Sequence, residues 1–220
     1  MYQSRTERIL IVTAVEAESE DVRSGLHGDG RFVVIAGGVG PAAVAAATAK
    51  ALASGSYSRV VSAGIAGGFA ESAAIGSLVV ASRMVAADLG SDSPDGFISV
   101  DELGFGSSVI PAEEEVSAAL ARALQSAGLQ ACLAPVVTVS TTTGTQAGAE
   151  ALSARVPGAA AEGMEGFGVA EAARQFGLPA MELRAISNAV GPRDRGAWKI
   201  GDALSALRQA SSILPEVFFP

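Results

Sequence analysis

Three short stretches of this chain bring acids or an amide to the point where an apolar run gives way to a polar tip. Arg184-Ala185-Ile186-Ser187-Asn188 ends such a run on a carboxamide and is followed by Gly191-Pro192-Arg193-Asp194-Arg195 and Trp198. Gly163-Met164-Glu165-Gly166 carries a carboxylate into a helical pattern, and the run Ile9 to Val15 delivers Glu16 and Glu18. An open parallel sheet carries its chemistry just beyond the carboxyl ends of its strands, so three polar groups past three predicted strands point to one site.

Each group has a plainer role to weigh. Glu16 and Glu18 share a face if the strand continues, but point about 160° apart if a helix begins. Acids in that place more often serve a helix N-terminal turn than act as a base, and one of the pair can be active while the other is structural. Glu165 also reads as a helix-start carboxylate. Its neighbours Gly163, Met164 and Gly166 add an apolar side chain and backbone clearance, which suit a sugar ring whose hydroxyls the acid grips. Asn188 is a turn former or a binding group in equal measure.

The elements that must position these groups alternate. Short, β-branched runs predict strands over 8–15, 31–36, 59–63, 76–86, 131–139 and 179–187. Helical patterns cover 41–52, 112–127, 165–176 and 200–214; the first opens on Pro41, the second on Glu113, Glu114 and Glu115, the third stops at Gly177 and the fourth before Pro215. Such alternation implies an α/β fold with a mostly parallel central sheet flanked by helices, over 1–220 as one domain. Residues 88–106, with five glycines and prolines scattered among Asp92, Asp95, Asp101 and Glu102, break the pattern and read as a long, ordered loop docked by Phe97, Ile98, Leu103 and Phe105. Gly37-Gly38-Val39-Gly40-Pro41 is either an anion cradle or, preferably, a tight strand-to-helix turn, since Pro41 removes a donor. Gly64-Ile65-Ala66-Gly67-Gly68 reads as a second glycine turn that brings backbone against a flat ligand.

Composition excludes several classes. A net charge of −8 and no Lys/Arg cluster argue against a nucleic-acid surface. One cysteine, Cys132, permits neither an internal disulfide framework nor a cysteine zinc site and reads as a small core residue; the lone His27 reads as a loop residue. No stretch has membrane-spanning length free of Gly, Pro or charge, so a cytoplasmic protein without a membrane partner is expected.

Taken together, Thr13-Ala14-Val15-Glu16-Ala17-Glu18, Ser62 to Gly68, Gly163 to Gly166 and Arg184 to Asn188 resemble the nucleoside phosphorylase and nucleosidase family over nearly the whole chain. Ala87 to Gly90 also carries the resemblance, and the loop run ending in Phe105-Gly106 and the tail from Arg193 to Trp198 are similar to the futalosine-cleaving branch of that family, in the menaquinone pathway. The resemblance implies a nucleoside-phosphorylase-like fold that hydrolyses the N-glycosidic bond of a hypoxanthine nucleoside. It implies that Glu18 activates water, that Glu165 holds ribose hydroxyls, and that Ala66, Gly67, Thr142, Thr143 and Met164 wall the substrate pocket. Where the adenosine-type enzymes carry an aspartate, this chain has Asn188, which hydrogen-bonds but supplies no proton. An asparagine suits the N7 and O6 acceptors of a 6-oxopurine, yet also pairs with the N6/N7 edge of adenine, and the choice stays open. The substrate's carboxylate tail would pair with Arg193, Arg195 or Lys199, left unchosen. The resemblance implies no metal or organic cofactor, and a homo-oligomer. The alternatives are a purine nucleoside phosphorylase, a methylthioadenosine/S-adenosylhomocysteine-type nucleosidase and a non-catalytic nucleoside-binding protein.

Overall fold

The computed structural model describes residues 7–220. The first half runs β1 (Ile9–Thr13), α1 (Glu16–Gly25), β2 (Phe32–Ala36), α2 (Pro41–Ser54), β3 (Arg59–Gly68) and β4 (Leu78–Ala86). A hairpin, β5 (Gly90–Ser93) and β6 (Gly96–Ser99), precedes β7 (Val109–Pro111), α3 (Glu114–Ser126), β8 (Ala131–Thr138) and α4 (Gln146–Arg155). The chain closes with β9 (Ala161–Gly163), α5 (Gly166–Gln175), β10 (Ala180–Ala189), a 3₁₀ turn at Arg195–Ala197, α6 (Ile200–Ser211) and α7 (Leu214–Phe218).

The sheet is mixed and mostly parallel, as expected, but not open. β1 pairs in parallel with β2 and with the first half of β3, while β10 runs parallel along the opposite edge of β3. β10 also pairs antiparallel with β4, β4 parallel with β8, β8 parallel with β9, and β9 antiparallel with the end of β3. Strands β3, β10, β4, β8 and β9 therefore close on themselves, with β1 and β2 as an extension and β7 on the free half of β4. Closure is feasible because β3 and β4 are long enough to serve two partners along one edge, and because twist and register shifts bend the strands. One shift falls between Ile186 and Asn188, re-aiming the end of β10.

Apolar residues pack on both faces of this sheet. Val22, Leu120, Leu207 and Leu214 bring α1, α3, α6 and α7 against one side; Val44 and Val169 bring α2 and α5 against the other. The small-residue composition has a direct use here. A Cβ on Gly168 would lie 2.3 Å from the Pro41 carbonyl oxygen, so α2 and α5 touch backbone to backbone.

Several sequence expectations are corrected. Gly64 to Gly68 is not a turn: it continues β3, paired with β10 through Gly68, and a Cβ on Gly64, Gly67 or Gly68 would meet a neighbouring atom at 2.6, 2.9 or 2.4 Å. Residues 88–106 hold a hairpin rather than a bare loop; Arg155 stacks 3.8 Å from the Phe97 ring centroid and docks it, whereas Phe105 is 82% exposed and docks nothing. The last helix stops at Ser211, and Pro215 sits in the first turn of α7 rather than after a single longer helix. Helix α4 carries only a weak apolar face; its start is marked by Thr145, whose hydroxyl accepts from Gly148 N at 3.1 Å. Cys132 is half-buried beside the α2/α5 core, and His27 closes α1 with a positive φ of 52°.

Candidate active site

A cavity of about 400 Å³ opens where the ends of β1, β3, β9 and β10 meet. Glu18, Glu165 and Asn188 all line it, together with Ala66, Gly67, Thr142, Thr143, Met164, Arg193 and Trp198. A larger hollow of about 740 Å³ beneath the β5/β6 hairpin holds none of the expected residues.

Helix α1 separates the two N-terminal acids. Glu16 points outward and pairs with Arg23, while Glu18, one turn face away, is 4% exposed and turned into the cavity. Glu18 serves the helix start and the cavity at once. Its Oε2 accepts from Ala14 N at 3.0 Å and Val15 N at 3.3 Å, and its Oε1 from Ile65 N at 2.8 Å. Three backbone donors on two strand ends leave the carboxylate little freedom.

Glu165 stands at the start of α5 and is 6% exposed. Its Oε1 accepts from Gly40 N at 3.2 Å and its Oε2 from Met164 N at 3.2 Å. The Gly37–Pro41 segment is thus a tight turn and no anion cradle: Gly37 N and Gly38 N donate to Thr13 O and Ala14 O, and Gly40 N is given to the chain's own acid. Gly38 and Gly40 hold φ of 94° and 91°, which side-chain-bearing residues rarely adopt.

Behind both acids lies Arg184, fully buried. Its Nε donates to Glu182 Oε1 at 2.7 Å and its Nη2 to Ser62 Oγ at 2.8 Å, while Nη1 lies 3.6 Å from Glu165 Oε2. Burial alone would lower the pKa of this guanidinium, but the carboxylates of Glu182, Glu165 and Glu18 outweigh it and hold the positive charge. Burial pushes the Glu182 carboxyl up, against the pull of Arg184. Two glycines make space for the cluster. A Cβ on Gly64 would sit 2.6 Å from both Arg184 Nη1 and Glu18 Oε1, and one on Gly166 would meet the Glu182 oxygens at 2.2 Å.

On the far wall, the Asn188 carboxamide is oriented by its neighbours. Ser187 Oγ lies 2.8 Å from Asn188 Oδ1 and donates to it, and Asn188 Nδ2 donates to Ala189 O at 2.9 Å. The Ser187 hydroxyl also lies 3.2 Å from Ala66 O, and one Nδ2–H of Asn188 remains for a ligand.

The basic tail divides. Arg193 reaches the cavity, but Arg195 and Lys199 are not among its lining residues. Arg195 opens the 3₁₀ turn with its guanidinium 5.8 Å from the Trp198 ring centroid, and Lys199 precedes α6 with its backbone N donating to Ser187 O at 2.8 Å. The sequence reading missed two buried acids. Glu162 lines the cavity from β9 and accepts from Thr143 N at 2.9 Å and from the Thr143 hydroxyl; Glu182 supports Arg184 from within β10. A charged residue inside the apolar run Met181-Glu182-Leu183 was a usable signal, since an acid is buried only with a partner.

The arrangement combines two anchored carboxylates, an oriented amide donor and a buried cation shielded from the cavity by the acids. It suits proton abstraction and hydroxyl binding around a small polar ring, and the cation beside Glu165, Arg184, is buried behind the acids rather than presented to a phosphate nucleophile. Comparison with known proteins agrees. Residues 7–217 match the family model of the phosphorylase superfamily. The chain is 46% identical to the futalosine hydrolase of Streptomyces coelicolor over 230 aligned positions, covering 95% of each. Its fold matches the structure of futalosine hydrolase from Helicobacter pylori with a TM-score of 0.81 at 20% identity, covering 98% of this chain and 99% of that one. It also matches the 5′-methylthioadenosine/S-adenosylhomocysteine nucleosidase of the same organism, with bound butyl-thio-DADMe-Immucillin-A, at 0.80 and 19%, covering 96% and 97%. This chain belongs to the phosphorylase superfamily and, within it, to the futalosine hydrolase family.

Proposed function

We propose that this protein hydrolyses the N-glycosidic bond of futalosine, releasing hypoxanthine and dehypoxanthine futalosine, in the cytoplasm as a step of menaquinone biosynthesis and as a homo-oligomer. The observation that carries the reading is the cavity in which Glu18 and Glu165 face an amide donor, in a chain 46% identical to a futalosine hydrolase.

In this reading Glu18 takes a proton from the attacking water. The oxygen adds to the anomeric carbon as the bond to the purine nitrogen breaks, and the base leaves with the electron pair. Positive charge gathers on the ribosyl ring in the transition state, and the two carboxylates stabilise it while Glu165 holds the hydroxyls. Asn188 donates a hydrogen bond to the purine as charge collects on it; a carboxamide transfers no proton, so the departing base takes its proton from solvent. Arg184 keeps Glu165 and Glu18 in place from behind. Arg193 lines the cavity with its guanidinium 5.5 Å from the Trp198 ring centroid, which supports it as the partner of the carboxylate tail.

The test is incubation with futalosine, inosine and methylthioadenosine, each with and without phosphate, following free base. Phosphate-independent release of hypoxanthine from futalosine, faster than base release from the other two, is the expected result. A requirement for phosphate, or faster cleavage of methylthioadenosine, overturns the reading.

A further inference from the structure

Glu162 has no part in the chemistry above, yet its carboxylate lines the same cavity as Asn188. Both residues flank Gly67 in one ladder: Asn188 is its partner on β10 and Glu162 its partner on β9. Residues paired directly across strands project to the same face. The carboxamide and the carboxylate therefore rise from one face, their backbones about two strand spacings, roughly 10 Å, apart. Between them stands a residue with no side chain. A Cβ on Gly67 would come within 3.3 Å of Asn188 Nδ2 and 2.9 Å of Val190 Cγ2, so the missing side chain is what lets the Asn188 carboxamide hold its position over β3.

The two sides of Gly67 differ in hydrogen-bonding character. Asn188 Nδ2 donates one N–H to Ala189 O and keeps the other free, while its oxygen lies 2.8 Å from Ser187 Oγ. Glu162 has drawn the nearby donors to itself, the Thr143 N–H and hydroxyl. A carboxylate offers about four acceptor positions, so its oxygens retain capacity while the Thr143 donors are spent. One side thus presents a donor and the other a charged acceptor. A 6-oxopurine is complementary to that pair, with acceptors at N7 and O6 and a donor at N1–H. Adenine is not, because its N1 lone pair would face a carboxylate.

We propose that Glu162 is a specificity-determining residue that accepts the N1–H of a 6-oxopurine while Asn188 donates to its N7/O6 edge, so that the two together select hypoxanthine over adenine. The assignment rests on the reading that the substrate is a hypoxanthine nucleoside. Discrimination follows from what the wrong base leaves unmade: buried polar groups without partners are costly, and sites built to bond a given N–H reject the analogue lacking it.

Calorimetric titration of the protein with hypoxanthine, 1-methylhypoxanthine and adenine reads this contact without turnover. Hypoxanthine should bind at least about tenfold more tightly than the other two. Equal affinity for hypoxanthine and its 1-methyl derivative overturns the proposal, and this arm needs no variant. In Glu162→Gln the preference for hypoxanthine over adenine should shrink by about tenfold. A variant that weakens all three bases equally marks a residue that only ties down the Thr143 segment, and also overturns it. Futalosine cleavage by the wild-type protein, measured alongside, separates the two levels: cleavage without base preference sinks the Glu162 contact alone, whereas hypoxanthine preference without cleavage sinks the reading of the reaction.

Discussion

Glu18, Glu165 and Arg184 are 4%, 6% and 0% exposed and are held by backbone N–H groups, strand partners and one another, whereas Arg193 at the cavity edge, and Arg195 and Lys199 beyond it, lie on an exposed stretch. That stretch is tied by a 3₁₀ turn, by stacking on Trp198 and by the Lys199 N–H bond to Ser187 O. The contrast separates two tasks. The end that must place a water and a sugar ring is built on strand termini and one helix start, where a side chain has one position. The end facing the variable part of a substrate has few ties and contributes through charge and an aromatic surface. Substitutions at the first end should cost rate, and those at the second should cost affinity for one substrate only.

The largest effect is expected from Glu18→Gln. It keeps the size and an acceptor oxygen but removes the base, so kcat should fall by about 10²–10⁴-fold with KM little changed. Steady-state kinetics on futalosine checks this, and near-wild-type turnover would move the role away from Glu18. Next is Gly64→Ala, which touches no substrate. Its methyl group would press on Arg184 Nη1 and Glu18 Oε1, each 2.6 Å away. Overpacking of this kind costs about 1–3 kcal/mol of stability. Displacing the base can lower kcat by as much as about a hundredfold. Denaturant melts and kinetics together test the pair of outcomes, and an unaltered kcat would mean that the buried cluster tolerates a shift of Glu18.

Asn188→Asp should act on selectivity. An ionised carboxylate opposes the N7 and O6 acceptors, so the ratio of kcat/KM for hypoxanthine over adenine nucleosides should drop by roughly tenfold, a loss comparable to one charge-affected hydrogen bond. Protonation of the new carboxyl restores a donor to N7, so the drop should narrow as pH falls. A ratio unchanged at every pH would assign Asn188 to the bend in β10 rather than to the base. The smallest effect belongs to Arg193→Ala. An exposed ion pair contributes about 0.2–1 kcal/mol, so KM for futalosine should rise only a few-fold. Inosine, which lacks the carboxylate tail, should be unaffected; an equal change for both would detach Arg193 from the tail.

Much of the candidate site was legible from local pattern. A run of β-branched residues ending in Ser187-Asn188 announces a strand tip with a polar group, and Gly163-Met164-Glu165-Gly166 announces a helix start with clearance around an acid. The choice between Glu16 and Glu18 was not legible, because it depends on whether α1 begins at residue 16; once it does, helical geometry turns one acid out to Arg23 and the other in. Glu162 escaped notice because it lies in a three-residue strand, too short to show a period. The glycine run 64–68 was misjudged for a related reason. Glycine in a turn and glycine in a crowded strand look alike until the atoms opposing the missing Cβ are known.

What the sequence determined alone is the alternation of strand and helix, the acidic and amide chemistry, and the choice of Asn188 over an acid, since these are properties of residue types and their spacing. What only the tertiary structure decided is adjacency. The closure of β3, β10, β4, β8 and β9 sets Glu162 and Asn188 on either side of Gly67, and brings Arg184, already beside Glu182 on β10, against Glu165 and Glu18 from other elements. Those contacts form across long sequence separations, where no local propensity acts and only the shared packing of the sheet brings the groups together.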